Sequence, residues 1–299
     1  MHGKVIVLMG GESSEREISL NTGNAVISAL RRKGIQAESL DAIGDYVKQL
    51  LILSPDIVFI ALHGHGGEDG CVQGLLESLG IPYTGSSILG SAISMDKVNS
   101  KRIWQAIGIS TPPFTLCYSA EEAHKLIKTF DFPFAIKPVF GGSSIGVTMV
   151  RKAKEIEDAY YLAAKYGPVM LESWIVGDEY TVGILKNKTL PSIHVMYCEK
   201  FYDYQAKYCT DNTHYICPSK LSPNEEQQLQ SIALRAFLAI NARYWGRVDF
   251  MRDLNGKFWL LEVNTIPGLT EHSLVPKAAK VAGMAFDELI LEILNKTVN

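Results

Sequence analysis

The chain has 299 residues, 47% of them hydrophobic and 20% charged, with a formal net charge of −3. That length is more than one hydrophobic core usually organises, so two or three packed units are expected. The near-neutral charge offers no surface for nucleic acid or anionic membrane, and no apolar run is long enough to span a bilayer. The five cysteines, Cys71, Cys117, Cys198, Cys209 and Cys217, are odd in number and form no CxxC pair. They read as free thiols of a reducing compartment.

In chain order, Lys4–Met9 is an apolar strand ending in Gly10 and Gly11, rather than a leader peptide. Ser14 and Glu17 have capping-box spacing ahead of a helix running to about Leu30. Asp56–Leu62 reads as a second buried strand, Gly74–Leu79 as helical, and Ile81–Tyr83 as a short element. This βαβ rhythm predicts a parallel sheet up to residue 96. Beyond it come a helix at Lys97–Ile107, strands at Phe134–Lys137 and Val147–Val150 around a Gly/Ser loop, a helix at Ala153–Tyr166 and a strand at Val169–Glu172. Together they suggest a small α+β unit over residues 97–180. A strand-rich unit follows over 181–299, with helices at Pro223–Leu238 and Phe286–Leu294. Cys198–Pro218 holds five aromatic residues without periodicity, which fits either a functional lid or an edge hairpin.

The most informative stretch is Trp245–Asn264. Two strand-like runs flank Asn255-Gly256, a strong hairpin signal. A two-residue turn there places Asp249 opposite Glu262 and Arg247 opposite Asn264. Alternation then puts these four on one face, with Val248, Phe250, Leu261 and Val263 directed into a core. Two facing carboxylates repel one another unless a cation intervenes. Asp, Glu and Asn oxygens suit Mg²⁺, which also binds substrate phosphates. The alternative is a solvated polar face neutralised by Arg247. A three-residue loop would break the register.

Phe134–Gly146 carries Lys137 at a strand end and then the run Gly141-Gly-Ser-Ser-Ile-Gly146. Glycine backbones and serine hydroxyls can cover phosphate oxygens. The loop is neither a Walker A motif nor GxGxxG, and by itself it is equally an ordinary turn. Beside a magnesium hairpin it reads as a phosphate-covering lid.

The lysine strand, Gly/Ser loop and acid-x-Asn hairpin resemble the ATP-grasp fold, and within it the chain resembles D-alanine–D-alanine ligases from end to end. The matching stretches are GGESSEREISL from Gly10, Ala61-Leu-His-Gly64, Gly66-Gly-Glu-Asp-Gly70, Tyr83-Thr-Gly-Ser86 and Ser94-Met-Asp-Lys97. They continue with Gly142–Gly146, Phe201–Tyr208, Gly246-Arg-Val-Asp249, Leu261–Thr265 and His272–Pro276. The resemblance implies an N-terminal parallel α/β domain (1–96), a small central lid domain (97–180) and a C-terminal mixed-sheet domain (181–299) with an omega loop near 198–218. It implies ligation of two D-alanines through an acyl phosphate for peptidoglycan precursors, by a cytoplasmic bacterial homodimer using ATP and two Mg²⁺, with Mn²⁺ as a substitute.

The resemblance also assigns roles. Lys97, Lys137 and Lys207 would hold ATP phosphates, and Glu172, Trp174 and Glu179 the adenine and ribose. Asp249, Glu262 and Asn264 would ligate the metals. Arg247 and the Gly268 N–H would stabilise the reacting centre. Glu15 would pair with the first D-alanine's ammonium and Ser273 with the second's carboxylate, with His63 nearby. Tyr208 would bond Ser143, and Ser143 would bond Glu15. Relatives making a D-lactate ester carry Phe at the position of Tyr208, so D-alanine is the expected second substrate. The rivals are a D-alanine–D-lactate or D-alanine–D-serine ligase, another ATP-grasp carboxylate–amine ligase, and a non-catalytic nucleotide-binding regulator. Arg247 beside the metal set argues against the last.

Overall fold

The structure is a computed structural model that describes residues 3–197, 213–295 and 297–298. Its first sheet contains β1 (Val5–Met9), β2 (Ala37–Asp41), β3 (Ile57–Ile60) and β4 (Tyr83–Thr84), joined at the edge by β15 (Thr297–Val298), in the order β15-β4-β3-β1-β2. β1 is buried along its whole length, as the unbroken run VIVLM requires of a strand covered on both faces. Helices α1 (Arg16–Arg32), α2 (Tyr46–Leu53) and α3 (Cys71–Ser78) supply the crossovers. β1–β4 are parallel, whereas β15 pairs antiparallel with β4. The Ser14–Glu17 capping box does not form. α1 begins one residue after Glu15, with no side chain capping its first turn.

Helices α4 (Ile88–Met95) and α5 (Lys97–Ala106) lead into a four-stranded antiparallel sheet. It comprises β5 (Phe114–Cys117), β6 (Phe134–Pro138), β7 (Thr148–Val150) and β8 (Val169–Ser173), in the order β5-β8-β6-β7. Helices α6 (Ala120–Leu126) and α7 (Ile156–Ala164) cover one face through Ala123, Ile156, Ala159 and Ala163. The expected helix from Ala153 starts as a short 3-10 turn, so its α-helical part is shorter than the pattern suggested.

The third sheet is built from β9 (Gly177–Leu185), β10 (Lys188–Thr189), β11 (Ile193–Tyr197), β12 (Thr213–Ile216), β13 (Trp245–Asp253) and β14 (Phe258–Asn264). Its main path is β12-β11-β9-β13-β14. Every pairing in it among the described residues is antiparallel, where a mixed sheet was expected; the mixing falls in the first sheet instead. α8 (Pro223–Ala239) packs on one face through Leu229, Ala233 and Phe237. Its start is fixed by a capping box between Ser222 and Glu225 with Pro223 in the first turn. α9 (Leu274–Val281) lies near the other face at Gly183. α10 (Phe286–Leu294) returns to the first sheet's core.

Candidate active site

The β13–β14 hairpin brings Asp249 opposite Glu262 and Arg247 opposite Asn264, the expected pairing by a different route. The loop has three residues, not two. Asp253 pairs with Lys257, and Gly256 at φ +84° closes the turn by donating to the Asp253 carbonyl. That loop alone would put Leu261 opposite Asp249. A β-bulge between Asp249 and Phe250 absorbs the extra residue and restores the register. Leu261 is therefore displaced from its expected core position and lines the adjoining cavity, while Leu260 is fully buried in its place.

Asp249 is 5% exposed and accepts hydrogen bonds from three side chains. Arg247 binds it bidentately at 2.8–3.2 Å, Thr181 Oγ1 donates at 2.6 Å and Asn264 Nδ2 at 3.0 Å. Glu262 lies 3.3 Å from Lys97 Nζ. Each facing carboxylate thus has a basic side chain against it, which is the compensation that such a pair demands. Among the described residues no group of three or more His, Cys, Asp or Glu forms a metal cluster. Asp249, Glu262 and Asn264 offer two carboxylates and an amide oxygen. These are hard donors of the type Mg²⁺ takes together with water and phosphate oxygens, so the set fits a divalent cation.

Beside the hairpin is a cavity of about 560 Å³ between the second and third sheets. Its walls include Lys97, Lys137, Glu172, Trp174, Glu179 and Glu262. Lys97 Nζ donates to the Gly141 carbonyl at 2.6 Å, tying α5 to the Gly/Ser loop. Glu172 is engaged by two lysines: Lys137 Nζ stands 2.5 Å from one oxygen and Lys101 Nζ 2.6 Å from the other. Burial raises the Glu172 carboxyl, but the two ammonium groups outweigh it and hold it below its usual range. Lys101 is wholly buried and was not singled out from sequence; burial brings it down to about 8 against the pull of Glu172. Its one signal was a position one helical turn after Lys97. Glu179 accepts from the Tyr197 hydroxyl at 2.7 Å.

On the far side of the Gly/Ser loop, Ser143 donates to Glu15. Ser143 and Ser144 both adopt left-handed backbone, a conformation that costs non-glycine residues energy and clusters at functional sites. Glu15 sits against Gly64, whose φ is +70° and where a Cβ would meet Glu15 Oε2 at 2.7 Å. A glycine is needed there on both counts. Ser13 Oγ donates to the His63 carbonyl at 2.7 Å. The His63 ring, 5% exposed, lies 3.0 Å from Thr22 Oγ1. Burial brings His63 down to about 4, against a backbone contact to Ile266 and helped by Arg247, so the ring is neutral.

Glu68 was also missed. Its carboxyl accepts from Gly64 N at 2.9 Å and Ile266 N at 3.3 Å, joining the first sheet's loop to the segment after β14. Burial, then the charge of Glu15, pushes it up to about 8 against those two N–H groups. Its sequence signal was an acid inside a glycine-rich loop, within the family-like stretch Gly66–Gly70. In the segment after β14, Ser273 Oγ accepts from Thr270 N at 3.0 Å, and a Cβ on Gly268 would lie 3.4 Å from it. Lys207 and Tyr208 lie outside the described residues, as does the 198–212 part of the expected lid; Thr213–Ile216 of that stretch is a regular edge strand paired with β11.

A parallel α/β unit followed by two antiparallel sheets clasping a lysine-lined cavity is an ATP-grasp architecture. Family models for the N-terminus and C-terminus of D-ala D-ala ligases match residues 43–86 and 103–295. The D-alanine–D-alanine ligase of Alkalilimnicola ehrlichii is 50% identical over 98% of this chain and 94% of its own. Among solved structures, the Bacillus anthracis D-alanine–D-alanine ligase complexed with ATP superposes with a TM-score of 0.85 at 32% identity, covering 98% of this chain and 96% of that one. The VanG D-Ala:D-Ser ligase of Enterococcus faecalis reaches 0.85 at 27% identity, covering 99% of both chains. The chain belongs to the D-alanine–D-alanine ligase family and is an ATP-dependent ligase.

Proposed function

We propose that the chain condenses two D-alanines to D-alanyl-D-alanine through a D-alanyl phosphate, with the nucleotide in the cavity between the second and third sheets. The observation that carries this reading is the convergence on one site of a lysine-lined cavity, the Asp249–Glu262 pair with Arg247, and the Glu15–Ser143 contact. A carboxylate becomes an acceptor for an amine once it is phosphorylated, and that transfer needs positioning and positive charge more than covalent help from the protein. Lys97 and Lys137 bind and orient the phosphates, and Trp174 and Glu179 border the base and sugar. Glu15, held by Ser143, receives the first D-alanine's ammonium. Arg247 and the Gly268 N–H face the charge that develops on its carboxyl oxygens, and Ser273 orients the second D-alanine's carboxylate.

Asp249, Glu262 and Asn264 would hold two Mg²⁺, which neutralise phosphate charge when bound. The proposed divisions fall near residue 96, between α4 and α5, and just before β9 at Gly177, since residue 180 falls within that strand. A homodimer in a bacterial cytoplasm, supplying peptidoglycan precursors, completes the reading; no helix among the described residues is long and apolar enough to cross a membrane. The test is phosphate release from ATP with D-alanine, D-serine and D-lactate in turn, with product mass. D-alanine alone should give fast release and a dipeptide. Faster release with D-serine or D-lactate as second substrate would assign the chain to one of those ligases.

A further inference from the structure

Lys101 is 0% exposed, deep below the nucleotide cavity, and the roles above leave it unused. A buried lysine is costly unless its charge is matched and its donors are met. Here both conditions are satisfied by partners from different parts of the molecule. Its ammonium lies 2.6 Å from Glu172 on β8 of the second sheet. It also donates at 2.6 Å to Thr111 Oγ1, which in turn donates at 2.8 Å to the carbonyl of Leu260 on β14 of the third sheet. The helix that carries it is docked to the third sheet's core, since Trp104 of α5 is fully buried and donates to the Ala236 carbonyl at 3.0 Å. Lys101 therefore spans the two sheets that enclose the cavity.

Two lysines share one carboxylate at this point. Lys137, Glu172 and Lys101 together carry one excess positive charge, and of the two lysines only Lys137 lines the cavity. An anion arriving at Lys137 supplies the missing negative charge. Glu172 is already paired with Lys137 through one oxygen; Lys101 on the other oxygen fixes the carboxylate's orientation and shares its single negative charge, so Lys137 is held in place without being fully neutralised.

We propose that Lys101 is a positioning residue for nucleotide binding, orienting Glu172 and through it the Lys137 ammonium while keeping the second sheet in register with the Asp249–Glu262 hairpin. The inference rests on the reading of the cavity as the ATP site, and it assigns Glu172 to the lysine pair rather than to direct contact with the adenine.

The test compares Lys101→Met, Thr111→Val, Thr111→Ser and Lys137→Met by steady-state kinetics and by calorimetric titration with ATP. Lys101→Met should raise the KM for ATP by about tenfold or more, the scale set by losing a buried charge-assisted contact. The KM for D-alanine should stay within about twofold, since uniform loosening of the fold would move both. Thr111→Val, which leaves the charge but removes its anchor, should raise the ATP KM several-fold, and Thr111→Ser should restore it. Should Lys101→Met fail to fold, the threonine pair decides alone. An ATP affinity unchanged in Thr111→Val, or KM values for ATP and D-alanine that rise together, would overturn the proposal. Loss of ATP affinity in Lys137→Met with none in the Lys101 and Thr111 variants would sink this inference alone. Unchanged affinity in Lys137→Met would sink the cavity reading with it.

Discussion

Asp249 and Glu262 face one another across a hairpin, and each is held by a cation from a different place: Arg247 from the same strand, Lys97 from α5. Removing one of the two acidic charges should therefore leave the fold nearly unchanged. Glu262→Gln gives up a partly exposed ion pair of at most about 1 kcal/mol. If Glu262 holds metal as proposed, the same change removes a ligand, and kcat should fall by a factor on the order of 10² to 10³ or more. Melting curves and magnesium-dependent phosphate release measured on the same preparation check this; near-normal turnover would remove the metal assignment.

Glu68 links stability to pH. Its pKa in the folded state is raised from an ordinary value of 4.5 to about 8, so the folded protein keeps a proton that the unfolded chain releases. The stability contributed by that proton is complete below the window and is lost as pH rises through it. His63 works in the opposite sense. Its pKa is lowered from 6.5 to about 4, so the unfolded chain binds the proton first and stability is lost as pH falls through that range. In urea titrations from pH 5 to 8, wild type should lose stability relative to Glu68→Gln as pH rises. A constant difference between the two would show that Glu68 does not titrate in that window.

At the level of elements, the β13–β14 hairpin separates loop length from register. Leu254 is 84% exposed in the three-residue loop, and deleting it leaves an Asn-Gly turn with Asp253 still opposite Lys257. That variant should keep turnover within a few-fold. Deleting Leu261 removes the bulge, straightens β14 and takes away a cavity wall. The chain should still fold, but the ATP KM should rise, because bulges re-aim the side chains beside them. Comparable kinetics in the two deletions would show that the bulge has no part in the site.

The same hairpin shows how far the sequence could be read. Alternation and the Asn-Gly signal correctly paired Asp249 with Glu262. They could not reveal that a three-residue loop and a bulge cancel, because each alone is a one-residue shift with no signature of its own in composition. α8 was legible because Ser222, Pro223 and Glu225 state its start locally. α2, α4 and α9 were not anticipated; they are eight-residue helices with no clear cap, and their stability comes from packing. Most residues of the candidate site stood in stretches already resembling a family. Lys101 stood in none of them, and Glu68 stood in one without a role of its own, because their partners Glu172 and Ile266 lie 71 and 198 positions away in sequence.

The last described elements return to the first sheet. β15 completes the first sheet beside β4, and α10 lies against α1 with Leu289, Ile290, Ile293 and Leu294 each at most 1% exposed. Arg32 on α1 bonds Asp287 on α10 at 2.5 and 2.9 Å. Burying four such aliphatic side chains contributes roughly 1.5–3 kcal/mol each, a sum comparable to the total stability of an ordinary domain. Truncation before Phe286 should consequently unfold the N-terminal unit. Circular dichroism and limited proteolysis would report it, and a truncated chain with native melting would show that the first sheet stands without α10.

In the proposed reaction the two substrates meet through a phosphorylated carboxylate. The most direct measurement uses D-alanine labelled with oxygen-18 in both carboxyl oxygens, with the inorganic phosphate analysed by mass spectrometry after turnover with ATP. If the carboxylate attacks the γ-phosphorus and the amine later expels phosphate, one labelled oxygen moves from D-alanine to each phosphate released. Phosphate carrying no label, alongside D-alanyl-D-alanine formation, would contradict the acyl-phosphate route and with it the roles given to Arg247 and Gly268.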